Sequence, residues 1–135
     1  MEILKILLSI SPKCTIKILT SKKHQQKQKL PQPWCETYQS YWHSISDQNP
    51  PETEIIFIGL ESSGESPIHD RFWLTQAGGL RVGTSFNSLG INKISEISIL
   101  SLEESNLMEN EISQYINRIK KDYKNEKLTY NLFLL

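Results

Sequence analysis

Hydrophobic positions recur every three or four residues in three segments, a spacing that predicts helices. The predicted helices cover residues 2–10, residues 35–45 and a segment that follows Ser101. The second carries an aromatic stripe, which indicates packing rather than a platform for stacked bases. The third opens with Ser101 and Glu104, whose spacing is that of a capping box, which satisfies the free N–H groups of a helix end.

Strand patterns lie between these helices. Residues 14–19 alternate between polar and apolar side chains and include β-branched residues, a pattern typical of a strand. Residues 54–59 form the near-continuous apolar run of a strand that is buried on both faces. Three further strand candidates follow, over residues 68–75, 80–85 and 96–100. Gln76, Ala77 and two glycines join the first two of these as a hairpin turn. The order of elements predicts one mixed α/β domain over residues 1–135.

Charge is balanced over the chain but not along it. Lys and Arg number 15, as do Asp and Glu, so bulk positive charge cannot drive binding to a polyanion. Residues 1–50 nevertheless hold seven lysines against three acidic residues. The excess lies mostly in residues 21–33, which lack apolar periodicity and contain two prolines. We predict a solvated basic loop there, with a phosphate-contacting arm as the alternative.

The remaining composition narrows the class of protein. Cys14 and Cys35 have neither the spacing of a zinc site nor that of a disulfide framework, so no metal or cofactor is expected. The apolar runs are far shorter than the roughly 20 residues of a membrane span, and the first ten residues do not resemble a signal peptide. The sequence predicts a soluble, cytoplasmic protein. Its apolar last residues, 132–135, are expected to pack on the core or on a partner.

The predicted strand 68–75 places side chains of possible chemical importance on one face. His69 and Arg71 are two residues apart, which puts them on the same side and roughly 7 Å apart in a strand. A histidine can attack phosphorus, and a guanidinium can hold the phosphoryl oxygens. Asp70 points to the opposite face, where we expect it to form a structural pair.

Three more residues complete the predicted phosphoryl site. Ser85 and Asn87 share a face of the next strand and can donate to the developing charge. Glu96 is the acid that we expect to fix the tautomer of His69. The structural alternative is that the histidine is an ordinary hydrogen-bonded residue and that the Gly-Thr-Ser-x-Asn segment is only turn chemistry.

These positions resemble the motif His-x-Lys-(x)4-Asp-(x)6-Gly-Ser-x-Asn of the phospholipase D superfamily. The corresponding positions of this chain are occupied by His69, Arg71, Gln76, Gly83, Thr84, Ser85 and Asn87. The resemblance implies a phospholipase D-like half domain, a mixed sheet flanked by helices, and chemistry without a metal. It assigns the nucleophile to His69, phosphate binding to Arg71, Ser85 and Asn87, and the orienting acid to Glu96.

The chain departs from that motif in ways that change the expected function. Arg71 replaces lysine, Gln76 replaces aspartate, and Thr84 shifts the spacing by one residue. The superfamily site uses two motifs and this chain has one, so activity requires a homodimer or a larger complex. We expect a phosphodiesterase, with nucleic acid favoured over lipid as its substrate. The alternative is a degenerate module that binds a partner protein or a nucleic-acid backbone, in a bacterial defence or mobile-element complex.

Overall fold

The computed structural model describes residues 2–82 and 97–135, which form two compact units. The first unit combines Met1–Ser66 with Lys120–Leu135, and the second is Pro67–Ile119. Both contain helices and strands, which confirms the mixed α/β class. The phospholipase D-like half-domain fold, and a single domain over residues 1–135, stay predictions.

The first unit is a four-stranded mixed sheet with three helices. Its elements are α1 (Glu2–Ile10), β1 (Ile16–Ser21), α2 (Lys22–Lys27), α3 (Trp34–Ile45), β2 (Thr53–Leu60), β6 (Asp122–Tyr123) and β7 (Glu126–Leu134). The strand order is β1-β2-β7-β6, in which β1 and β2 are parallel and the other neighbours are antiparallel. The predictions of α1, α3 and the first two strands are thereby confirmed, with strand ends shifted by one to two residues.

The centre of this sheet is β2, whose middle residues are buried on both faces, as its apolar run predicts. Ile56 and Ile58 are completely buried on one face. On the other face, Phe57 lies edge-on to the ring of Trp34 in α3, with ring centroids 4.8 Å apart. Trp42, further along α3, is also completely buried. The packing interpretation is therefore confirmed for Trp34, Tyr38 and Trp42 of the aromatic stripe, whereas Tyr41 is exposed.

The prediction of a basic loop over residues 21–33 is wrong for Lys22–Lys27, which form α2. Ser21 caps this helix, because its hydroxyl accepts a hydrogen bond from the backbone N–H of His24. A polar side chain faces inward: Gln25 is buried, and its Oε1 accepts a 2.8 Å hydrogen bond from the Tyr38 hydroxyl. Sequence periodicity did not reveal the helix because its buried residue is an amide rather than an apolar side chain.

Of the C-terminal apolar residues 132–135, the first three belong to β7, which pairs with β2. Phe133 packs beside Phe57, whereas Leu132 and Leu134 are exposed, so the predicted packing on the core is confirmed in part. The helical pattern after Ser101 predicts a helix that fades across the lysine-rich residues 120–127, and this prediction is wrong because β6 and the start of β7 form a hairpin there. Its two turn residues, Lys124 and Asn125, have φ values of 49° and 65°. Positive φ at both central residues is the geometry of a type I′ turn, whose twist suits a hairpin.

The second unit is a three-stranded antiparallel sheet with one helix among its described residues. Its elements are β3 (Arg71–Thr75), β4 (Gly78–Val82), β5 (Ile97–Ile99) and α4 (Leu102–Ile116). The strands follow the order β3-β4-β5, and Gln76 and Ala77 form the predicted turn of the first hairpin. Strand β3 starts three residues later than predicted, at Arg71. Residues 83–85 and Glu96, which the sequence places in strands, lie outside the described residues.

Helix α4 begins as its sequence predicts and packs on β4. The Ser101 hydroxyl accepts from the Glu104 N–H, and the Glu104 carboxylate accepts from the Ser101 N–H, which completes the capping box. Contact with the sheet is close at Gly79, where an added Cβ would lie 2.8 Å from Leu74 Cδ2 and 3.0 Å from Ser105 Oγ. A glycine there lets the helix approach the strand.

Gly59→Ala should destabilise the first unit. An added Cβ would lie 2.4 Å from the carbonyl oxygen of Gly64, and two backbone hydrogen bonds hold Gly64 in place, to Leu60 at 2.8 Å and to Lys23 at 2.9 Å. We expect a loss of about 1–3 kcal/mol in the free energy of unfolding, measured by urea titration. Lys27→Ala, an exposed change on α2, should stay within about 0.5 kcal/mol of wild type. Equal stability of the two variants would contradict the packing described here.

Candidate phosphate site at the start of strand β3

His69 and Arg71 lie at the beginning of β3, where the chain enters the sheet of the second unit. Both residues are exposed. Within the described chain, no hydrogen bond or ion pair engages either side chain. Arg71 is the first residue of β3 and pairs with Val82 of β4, whereas His69 precedes the strand. The imidazole and guanidinium are therefore both accessible, two residues apart.

Asp70, between them in sequence, is directed towards the neighbouring strand. Its carboxylate forms an ion pair with the Arg81 guanidinium in β4, which confirms the expected structural pair. Arg81 stands opposite Phe72 in the strand register, so Asp70 is its diagonal neighbour. Phe72 shares a side of the hairpin with Arg81, and the ion pair places the Asp70 carboxylate beside the same arginine, although Asp70 itself precedes β3.

A second carboxylate influences the same arginine. The pKa of Glu104 is lowered mainly because its carboxylate accepts hydrogen bonds from the backbone and side chain of Ser101, with a smaller contribution from the positive charge of Arg81. Arg81 therefore lies in the field of two acids, Asp70 and Glu104. Sequence analysis did not identify Arg81 as part of the site. The sequence signal that could have identified it is the opposite charge of Asp70 and Arg81, which lie in the two predicted strands of one hairpin.

The other predicted site residues lie outside the described residues. They are Ser85, Asn87 and Glu96, together with Gly83 and Thr84 of the motif. Of the predicted set, only His69 and Arg71 lie among the described residues, two positions apart in sequence and both exposed. The convergence of imidazole, guanidinium, hydroxyl, amide and carboxylate on one phosphoryl group stays a prediction.

Gln76, which stands where the motif has aspartate, lies at the opposite end of β3 from Arg71. It is exposed in the hairpin turn. It is five positions beyond Arg71, which corresponds to a span of about 16 Å in extended chain. Replacement of aspartate by glutamine at this position therefore removes no carboxylate from the immediate surroundings of His69 and Arg71.

The basic segment of the first unit is partly engaged in local contacts. Lys22 Nζ donates a 3.2 Å hydrogen bond to Thr129 Oγ1, and Lys23 forms an ion pair with Glu65. Lys27 and Lys29 are exposed, and in the described part of the chain neither ammonium has an acidic partner. The cations available to an external anion on this segment are therefore these two rather than the whole run.

No protein-family model matches the sequence, and no curated protein or solved structure is significantly similar to it. The phospholipase D-like assignment accordingly stays a prediction. Across residues 2–82 and 97–135, no group of three or more histidine, cysteine, aspartate or glutamate side chains is placed to hold a metal ion. No helix in these ranges has the length and apolar character needed to cross a membrane.

Glu104→Gln should lower stability at neutral pH and have little effect in acid. The folded state lowers the Glu104 pKa because Ser101 donates to the ionised carboxylate. A lowered pKa contributes stability above the ordinary glutamate range, and that contribution is lost as pH falls through the folded pKa. Urea titrations at about pH 7 and about pH 3 measure the difference. Glu103→Gln, in the same turn but outside the capping box, is the control. A Glu104→Gln deficit that persists unchanged in acid would contradict this assignment.

Proposed function

We propose that this chain is a phospholipase D-like phosphodiesterase of the nuclease type, with His69 as its nucleophile and Arg71 as its phosphate-binding cation. The observation that carries the proposal is that an exposed histidine and an exposed arginine stand two residues apart, while the acid between them forms an ion pair with Arg81. An anionic phosphodiester would be repelled by a free carboxylate at that point and is attracted by a guanidinium that has no acidic partner among the described residues.

The chemistry would proceed by two displacements at phosphorus. A nitrogen of neutral His69 forms a bond to phosphorus as the bond to the leaving oxygen breaks, and that oxygen takes up a proton from a donor beyond these two residues. Water then attacks the phosphohistidine, breaks the N–P bond and returns the imidazole. Arg71 holds non-bridging oxygens through both displacements. Ser85, Asn87 and Glu96 retain the donor and orienting roles that the resemblance gives them.

Nucleic acid is the substrate class that this proposal favours. The exposed ammonium groups of Lys27 and Lys29 can contact a polyanionic backbone. The chain carries one copy of the motif, so the proposed active form is a homodimer or a complex with a protein that supplies the second copy. The balanced charge of the whole chain predicts binding through a few phosphate contacts and hence a modest dependence on salt.

His69→Ala should abolish metal-independent cleavage. Wild type and variant are incubated in EDTA with single-stranded and duplex DNA and RNA, alone and with cell extract that can supply a partner. We expect the variant to lose at least about a thousandfold in rate, because no other group replaces the nucleophile. The covalent intermediate provides a second readout, since acid-labile phosphate should be trapped on wild type and not on the variant.

His43→Ala is the matched control for the loss of an exposed histidine, because His43 lies on α3 in the first unit. It should cleave at the wild-type rate. Failure of wild type to cleave any of the four substrates, with and without extract, would refute the enzymatic proposal. Equal cleavage by wild type and His69→Ala would show that the activity belongs to another group or to a contaminant.

Arg71 itself favours a second candidate, a module that binds phosphate backbones without turnover. A forked guanidinium at the strand end can engage two phosphoryl oxygens at once, whereas the lysine of the motif is a point charge. Bidentate binding fixes the phosphate in an orientation that differs from the one a lysine permits. The same exposed pair can therefore support tight binding in the absence of in-line attack.

Arg71→Ala and Arg71→Lys distinguish the two candidates. In a His69→Ala background, where substrate is not consumed, Arg71→Ala should weaken binding of a labelled oligonucleotide about tenfold or more, because a charge-assisted hydrogen bond is lost. With His69 intact, cleavage by the Arg71→Lys variant alone, and not by wild type, would identify a binding module whose arginine prevents turnover. Unchanged affinity of Arg71→Ala would remove Arg71 from both candidates.

A further inference from the structure

The acid between His69 and Arg71 is the feature that most threatens an anion site at this strand end. A carboxylate next to a guanidinium in sequence can pair with it and so compete with an incoming phosphate. Asp70 does not do this in the structure, because its carboxylate is paired with Arg81 on the neighbouring strand. Arg71, by contrast, has no acidic partner in the described part of the chain.

The strand register explains how Arg81 reaches Asp70. Arg81 is opposite Phe72, two residues beyond Asp70, and a diagonal cross-strand neighbour lies within the span of an arginine side chain. Val82, not Arg81, is opposite Arg71. The two arginines therefore belong to opposite faces of the β3–β4 hairpin, and Arg81 draws the carboxylate to its own face.

We propose that Arg81 is a positioning residue that holds the Asp70 carboxylate on its own face of the hairpin and thereby leaves the Arg71 guanidinium open to a phosphate group. The proposal rests on the proposed function for its biological meaning, but the ion pair on which it depends is independent of any activity. Arg81 and Asp70 are 54% and 43% exposed, so the pair contributes little to stability. The ion pair instead determines which cation the Asp70 carboxylate contacts.

Chemical modification measures how accessible the Arg71 guanidinium is, and it needs no substrate. Phenylglyoxal reacts with accessible arginine, and peptide mass spectrometry at low extent of reaction gives a separate rate for each arginine. In Arg81→Gln, the released Asp70 carboxylate should engage Arg71 and slow its modification about three- to fivefold, the scale of one exposed ion pair. In the double variant Arg81→Gln/Asp70→Asn, the rate at Arg71 should return to the wild-type value.

Two controls separate positioning from a general change in structure. Arg118, exposed and distant in sequence, should react at the same rate in every variant. Arg81→Lys keeps a cation for Asp70 and should leave Arg71 as reactive as in wild type. The melting temperature of Arg81→Gln should fall by no more than a few degrees, because an exposed ion pair is worth at most about 1 kcal/mol.

Each outcome decides the proposal. A wild-type rate at Arg71 in Arg81→Gln, or a slowed rate that Asp70→Asn does not restore, would overturn it. If Arg81→Gln alone unfolds, the modification rate of Arg71 in Arg81→Lys decides: a wild-type value supports the proposal and a slowed value overturns it.

A separate experiment adds inorganic phosphate to the wild-type protein, where protection of Arg71 from modification supports an anion site. Lack of protection would count against the proposed function. The positioning role of Arg81 would still be decided by the modification rates of the variants.

Discussion

The pairing of β7 with β2 is the constraint on which the first unit depends. Seven residue pairs join these strands, from Leu60 and Leu128 at one end to Glu54 and Leu134 at the other. Their backbone hydrogen bonds complete a sheet whose central strand is almost wholly buried, so unpaired N–H and C=O groups there would cost free energy. The last residues of the chain thus form a strand of the sheet, paired with β2.

This pairing also determines how the second unit is connected. The chain leaves the first sheet after β2 and returns before β6, and the intervening residues 67–119 form the second unit. The leaving and returning segments are held together, since Glu61 N–H donates to the Lys127 carbonyl at 2.9 Å and Ser62 N–H donates to the Glu126 carboxylate at 2.9 Å. Hydrogen bonds within the first unit thus join the segments that lead to and from residues 67–119.

Much of this fold could be predicted from sequence where one physical signal dominated. The apolar run of β2 and the capping box of α4 were sufficient because burial and end-capping act locally. Two elements were missed for definable reasons. Helix α2 buries an amide, Gln25, which carries no apolar period. The β6–β7 turn uses Lys124 and Asn125 at positive φ instead of the glycine that usually marks such a turn.

The candidate site shows where sequence spacing was informative and where it was not. Spacing correctly indicated that Asp70 is separated from its neighbours and paired elsewhere. The identity of its partner depends on which residues of β3 and β4 are opposite each other, a register that the turn sets. A one-residue shift would have moved Arg81 to the face of Arg71 and left Asp70 without its cation. Spacing alone cannot fix that register, so Arg81 was not identified.

Extended backbone is what makes a His-Asp-Arg segment chemically useful. In a helix, residues two apart differ by about 200° in direction, so His69 and Arg71 would point to nearly opposite sides. In a strand they share a side, and the acid between them points to the other. Strand β3 begins only at Arg71, so this alternation does not reach His69 or Asp70. The ion pair with Arg81 is therefore the contact that directs the Asp70 carboxylate towards β4.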